Sequence, residues 1–251
     1  MSKSILIDFW TDKDLRTDDT ILRLLKLLIR YGALFIPDKY YLDQVTRNRT
    51  LIFRIPDYFE KVKEATKIYD VYTMFFLRGD TTLLEIHRRA YDGINPYGRP
   101  ADPNCISIEQ ESSFFEDENF CQKFLEIGKV IYTITKPHYG FGHDSSDSVS
   151  KEIHDQDAWL ETNRRKEICM VYWANFLGPQ IVENYGGKEK LLNSPCWITE
   201  ELLDGGVLLV LSPCPLNPAS KVNREKQNKV LDYLGLPRIG KRIKERKQPP
   251  F

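Results

Sequence analysis

From residue 72 onward the apolar residues of this 251-residue chain leave helical spacing and begin to alternate, which commits the fold to an antiparallel sheet. Met74-Phe75-Phe76-Leu77 runs into the turn tripeptide Arg78-Gly79-Asp80, and Thr82-Leu83-Leu84-Glu85-Ile86-His87 returns. Residues 92–100 are dense in turn formers. Ile106-Ser107-Ile108-Glu109-Gln110-Glu111 then alternates again and ends at Phe114-Phe115. Side chains of a strand point alternately to its two faces, so these segments read as a meander with one wet face.

Helical segments flank that meander. Residues 5–10 suit a first strand. Asp18 or Asp19 can cap a helix carrying Ile21, Leu24, Leu25 and Leu28 on one side and Arg23, Lys26 and Arg30 on the other, stopped by Gly32. Residues 33–37 and 51–55 read as further strands. Residues 117–136 read as a helix, with Phe120, Phe124, Ile127 and Ile131 spaced four, three and four apart, and Pro137 ends it. Residues 145–162 are polar and acidic, as a long loop or a seam would be.

The second half repeats a similar order in compressed form. Residues 168–177 read as a strand, and Gly178-Pro179 opens a helix that stops at Gly186-Gly187. A short helical piece covers 188–192. Residues 197–202 and 207–211 form a hairpin around Asp204-Gly205-Gly206, and a final helix, 223–234, is capped by Gly235. The expected fold is α+β: antiparallel sheet with helices packed on one face, in one domain of 1–251. Two similar subdomains, about 1–143 and 163–251 joined by an acidic loop 144–162, are the alternative division.

Composition narrows the function classes. Apolar residues make up 41% of the chain and aromatic ones 12%, enough surface to hide for a folded core. Lysine and arginine number 36 and aspartate and glutamate 36, a balance that argues against nucleic acid or a membrane surface as partner. No stretch approaches the ~20 apolar residues of a membrane helix, and the first residues meet charge too early for a secretory segment. Cys105, Cys121, Cys169, Cys196 and Cys214 are odd in number and contain no CxxC pair. They read as buried thiols of a cytoplasmic protein. Oligomeric state is not legible.

Catalytic and cofactor chemistry finds no motif. His138 and His143 sit five apart in Pro137-His138-Tyr139-Gly140-Phe141-Gly142-His143-Asp144, with Asp147 and His154 downstream. Imidazoles and carboxylates can hold zinc or iron, yet two ligands on one helix face need a spacing of three or four. The glycines make this segment a turn that packs aromatics. No GxSxG elbow and no phosphate-binding loop occur; Gly186-Gly187-Lys188 is a helix stop. We therefore expect no catalytic residue, no metal and no cofactor. A hydrolase built on the His138/His143 region is the enzymatic alternative.

Two acidic groups stand out. Glu109, Glu111, Glu116, Asp117 and Glu118 lie where a strand meets a helix, a place where carboxylates favour the helix dipole. Asp144, Asp147, Glu152, Asp155, Asp157 and Glu161 fall in the acidic loop. Both could also form a negative surface for a basic partner. The basic tail, Arg238 to Lys247, could contact phosphates, which leaves a nucleic-acid-associated module as a further alternative.

Val171-Tyr172-Trp173-Ala174-Asn175-Phe176-Leu177-Gly178-Pro179, then Gly186-Gly187, then Asp204-Gly205-Gly206-Val207-Leu208-Leu209 resembles the immunity protein 52 family of bacterial polymorphic toxin systems, and related type VI secretion immunity proteins. The likeness covers residues 168–216, about a fifth of the chain. Its residues are fold-making: Tyr172 and Trp173 on a strand, Asn175 at the strand end, Gly178 and Pro179 at a helix entrance, Gly205 and Gly206 in a hairpin. The resemblance implies a protein that binds and neutralises a cognate secreted toxin, often a nuclease, without catalysis. The acidic residues Glu109, Glu111, Glu116, Asp117, Glu118, Asp144, Asp147, Asp155 and Asp157 are then the candidate contacts.

Overall fold

The computed structural model describes residues 4–13, 15, 18–42, 51–52, 72–78, 81–88, 104–146, 163–168 and 170–238. It is an α+β protein whose recorded strand pairings are antiparallel. Two compact units divide the chain. One contains residues 1–6, 111–123 and 138–251, the other 7–110 and 124–137. Both are built from separated stretches.

The unit built around 7–110 holds β1 (Ser4–Thr11), which begins three residues earlier, then β2 (Lys39–Leu42), β3 (Leu51–Ile52), β4 (Tyr72–Arg78), β5 (Thr81–Arg88) and β6 (Asn104–Glu111). These strands lie in the order β3-β2-β4-β5-β6-β1. Register explains why the alternation folds this way. Tyr40 pairs Phe76, Phe76 pairs Leu84 and Leu84 pairs Ile108, so one apolar row crosses four strands. All four side chains are buried. The opposite face is less wet than expected. Phe75, Leu77 and Glu85 are half-buried there, and on β6 Cys105 and Ser107 are buried as well.

Helix α1 (Asp18–Arg30) buries Ile21, Leu24, Leu25 and Leu28 and exposes Arg23, Lys26 and Arg30, as its spacing dictates. The expected strand at 33–37 is instead a 3-10 turn at Ala33–Phe35, anchored by a buried Phe35. Pro37 leaves the sheet no backbone donor at that point. Helix α2 (Glu118–Thr135) buries Phe124, Ile127 and Ile131. It ends at Lys136, whose positive φ of 47° breaks the helix before Pro137.

The other unit contains β7 (Tyr139–Asp144), β8 (Ala174–Leu177), β9 (Ile198–Glu201) and β10 (Val207–Val210), ordered β7-β8-β10-β9. Helices α3 (Pro179–Asn184), α4 (Lys188–Leu192) and α5 (Lys221–Leu234) complete it. Every residue of β7, β8 and β10 is buried, so these strands are covered on both faces. The expected hairpin forms: Gly205 takes a φ of 87°, and Asp204 Oδ1 accepts from Gly206 N–H at 3.0 Å. Ser220 caps α5 by accepting from Asn223 N–H, and Gly235 closes it in the left-handed region.

Two expectations are corrected here. Residues 139–144 form a strand rather than a turn, because Tyr139, Phe141 and His143 alternate with Gly140 and Gly142 and the backbone pairs with β8. Residues 168 and 170–173 are not strand; the regular segment begins only at Ala174.

Candidate partner surface

The irregular segment before β8 is buried, so its backbone groups need partners, and side chains supply them. Asn175 Oδ1 accepts from Tyr172 N–H at 3.0 Å, while Asn175 Nδ2 donates to Tyr172 O at 2.9 Å. Gln227 of α5 donates to Val171 O, and Tyr139 Oη donates to Met170 O. Trp173 Nε1 donates to Ser212 O at 2.8 Å, and Leu211 N–H donates to Trp173 O at 2.8 Å. Tyr172 and Trp173 are both buried, but in this irregular segment rather than on the expected strand. Gly178 N–H reaches His138 O at 2.8 Å, and Pro179 takes the first position of α3, where its missing N–H costs nothing.

The acidic segment is seated on this motif. Between β6 and α2 the chain makes a 3-10 turn, Ser112–Glu116, with Phe115 buried and Phe114 half-buried. Phe115 meets Trp173 edge-on, with ring centroids 6.3 Å apart and planes at 86°. Phe120 stacks on Phe114 at 5.2 Å and meets Phe115 edge-on at 5.2 Å. Anchored from below by these rings, Glu111, Glu116, Asp117 and Glu118 stand exposed. Asp117 has a structural task too: its Oδ1 accepts from Asn119 N–H at 2.9 Å, capping α2. Glu118 occupies the first turn of α2, where the helix dipole favours an anion. Glu109 lies in the other unit, half-buried on β6.

Of the second acidic group, Asp144 alone lies among the described residues, and it is buried. Asp144 is 4% exposed, and its Oδ1 accepts from Ser146 N–H at 2.8 Å, so this carboxylate closes a turn at the end of β7. Burial removes it from any contact surface. Asp147, Glu152, Asp155, Asp157 and Glu161 lie outside the described residues, as do His154 and the basic tail beyond Arg238.

His143 is buried and His138 half-buried. His143 is buried against Phe141 and Tyr172, at centroid distances of 5.1 and 5.3 Å, and Phe141 stacks on Tyr172 at 4.4 Å. His138, five residues earlier, precedes β7. Among the described residues no group of three or more His, Cys, Asp or Glu side chains could hold a metal. A cleft is lined by Tyr172, Trp173, Leu211, Ser212, Pro215, Pro218, Asn223 and Gln227. None of these is a carboxylate, an imidazole, an amine or a thiol; Trp173, Ser212, Asn223 and Gln227 donate to backbone carbonyls, and the Tyr172 hydroxyl donates to Met170 Sδ at 3.8 Å. That lining offers apolar packing and hydrogen-bonding groups.

The fold has a solved counterpart. The chain is similar to the Pseudomonas aeruginosa T6SS protein PA0821, with a TM-score of 0.58 and 11% identity, over 93% of this chain and 72% of that one. A more distant likeness, TM-score 0.32 and 10% identity over 59% of this chain and 90% of that one, is to a structure of the toxic C-terminal tip of CdiA from Pseudomonas aeruginosa in complex with immune protein. No family model matches the chain, and no curated protein matches it. At 11% identity the first likeness establishes the fold alone. No helix among the described residues is long and apolar enough to cross a membrane.

Proposed function

We propose that the protein binds and neutralises a secreted bacterial toxin, acting as an immunity protein of the kind its 168–216 motif resembles. The observation that carries the reading is the acidic turn itself. Four exposed carboxylates, Glu111, Glu116, Asp117 and Glu118, ride on an aromatic base formed by Phe114, Phe115, Phe120 and Trp173. A rigid, negatively charged platform suits a basic partner surface, such as the cleft with which a nuclease holds nucleic acid. Inhibition of that kind needs complementarity and preorganisation rather than an active site. The likeness of the fold to a T6SS protein supports the reading, as does the 168–216 resemblance.

The test is co-expression with any toxin domain that proves to be encoded beside this gene. Survival of the producing cell and a stable complex on size-exclusion chromatography are expected. Death of the cell with no complex formed removes the proposal.

A further inference from the structure

Two cysteines far apart in sequence meet at the base of the acidic turn. Cys121 lies in the first turn of α2 and Cys214 in the segment that joins β10 to α5. Their sulfur atoms are 3.0 Å apart, about one ångström beyond the roughly 2.05 Å of a disulfide bond. Cys105 and Cys196, the other described thiols, contact hydroxyls of Ser107 and Ser194 instead.

We propose that Cys121 and Cys214 form a reversible disulfide, a redox clasp that ties residues 211–215 to the first turn of α2. The two ends differ in a way that orders the reaction. Cys214 is half-buried and within reach of a small oxidant, whereas Cys121 is buried, with Phe115 O beside its sulfur at 3.4 Å. Burial pushes the Cys121 thiol well up, and the neighbouring Cys214 adds to the shift. Cys214 is therefore the thiol that attacks first, and Cys121 the one that resolves. With oxidised glutathione, the Cys214 thiolate attacks one sulfur and expels the first glutathione thiolate. Cys121, giving up its proton, then attacks Cys214 Sγ and expels the second. The protein loses two electrons and two protons, and these leave as two glutathione thiols.

The clasp bears on the surface above it. Trp173 donates to Ser212 O at 2.8 Å, Ser212 Oγ donates to Cys214 O at 2.8 Å, and Phe115 rests on Trp173. Closing the bond fixes these parts together directly under Glu116, Asp117 and Glu118.

The experiment treats the reduced, full-length protein with oxidised glutathione and counts free thiols. Of the five cysteines, two are expected to disappear, leaving three, with full recovery on reduction. Peptide mapping should find the Cys121 peptide joined to the Cys214 peptide. Cys121→Ser should instead retain glutathione on Cys214, because the resolving thiol is gone. The proposal is overturned if the wild type keeps all five thiols, accumulates only glutathione adducts, or joins another pair. Those outcomes are read on the wild type, so they stand even where a variant fails to fold.

Discussion

Asn175 grips Tyr172 with both ends of its amide, accepting from the backbone N–H at 3.0 Å and donating to the backbone C=O at 2.9 Å. Tyr172 is fully buried and Asn175 is 1% exposed, so neither backbone group has water as an alternative. Replacing Asn175 with alanine leaves a buried donor and a buried acceptor unpaired, at about 1–3 kcal/mol each. Asn175→Ala is thus expected to lower stability by roughly 2–6 kcal/mol in urea denaturation. A loss below half a kcal/mol would show that the segment before β8 does not depend on this bond pair.

The contact between Phe115 and Trp173 couples the acidic turn to the same segment. Truncating either ring to alanine should cost about 3–5 kcal/mol, since both are buried. The double variant should cost less than the two single losses together, by about 0.5–1.5 kcal/mol, the worth of an aromatic pair. Strict additivity in a double-mutant cycle would mean that the rings pack independently and that the turn has another anchor.

How much of this was legible in the sequence depends on where the information resides. Helices α1 and α2 could be read because their apolar residues repeat at helical spacing, and the β9–β10 hairpin because Asp204-Gly205-Gly206 is turn chemistry. Strand β7 was misread as a turn because Gly140 and Gly142 are poor strand formers in isolation; pairing with β8 overrides that preference. Residues 168–173 look like a strand by apolar content. Their bonds run to Asn175, Gln227 and residues 211–212, and no local pattern reveals such partners. The acidic turn was visible as charge, whereas the burial of Asp144 and the capping role of Asp117 required coordinates. Cys121 and Cys214 lie 93 residues apart, and spacing gives no hint that they touch.

Thiol burial predicts an alkaline weakness. Desolvation raises the Cys196 thiol above its ordinary value, despite an opposing hydrogen bond from Ser194, and burial raises Cys121 as well. Below the unfolded value of about 8.5 both folded and unfolded chains hold these protons, and nothing is lost. Above it the unfolded chain releases them while the folded chain keeps them, so stability falls as pH rises toward the folded values. The denaturation midpoint should therefore drop between pH 8 and 10, and less steeply in Cys196→Ser than in the wild type. Parallel pH profiles for the two proteins would mean that this thiol contributes no linkage.

The sharpest test of the partner surface is a charge reversal that spares the cap. Asp117 is left in place because it holds the start of α2, and Glu116 and Glu118 are changed to lysine. Reversal at Glu118 places a cation in the first helical turn, which costs about 0.3–1 kcal/mol, so Glu116→Gln with Glu118→Gln serves as the milder companion. Exposed charges of this sort act mainly by steering encounter. The association rate with the toxin should fall roughly tenfold at low salt, with a small change in dissociation, and the difference should shrink as salt rises. Surface plasmon resonance at two ionic strengths separates these effects. If the lysine variant associates as fast as the wild type while remaining folded, the toxin docks elsewhere and the acidic turn serves α2 alone.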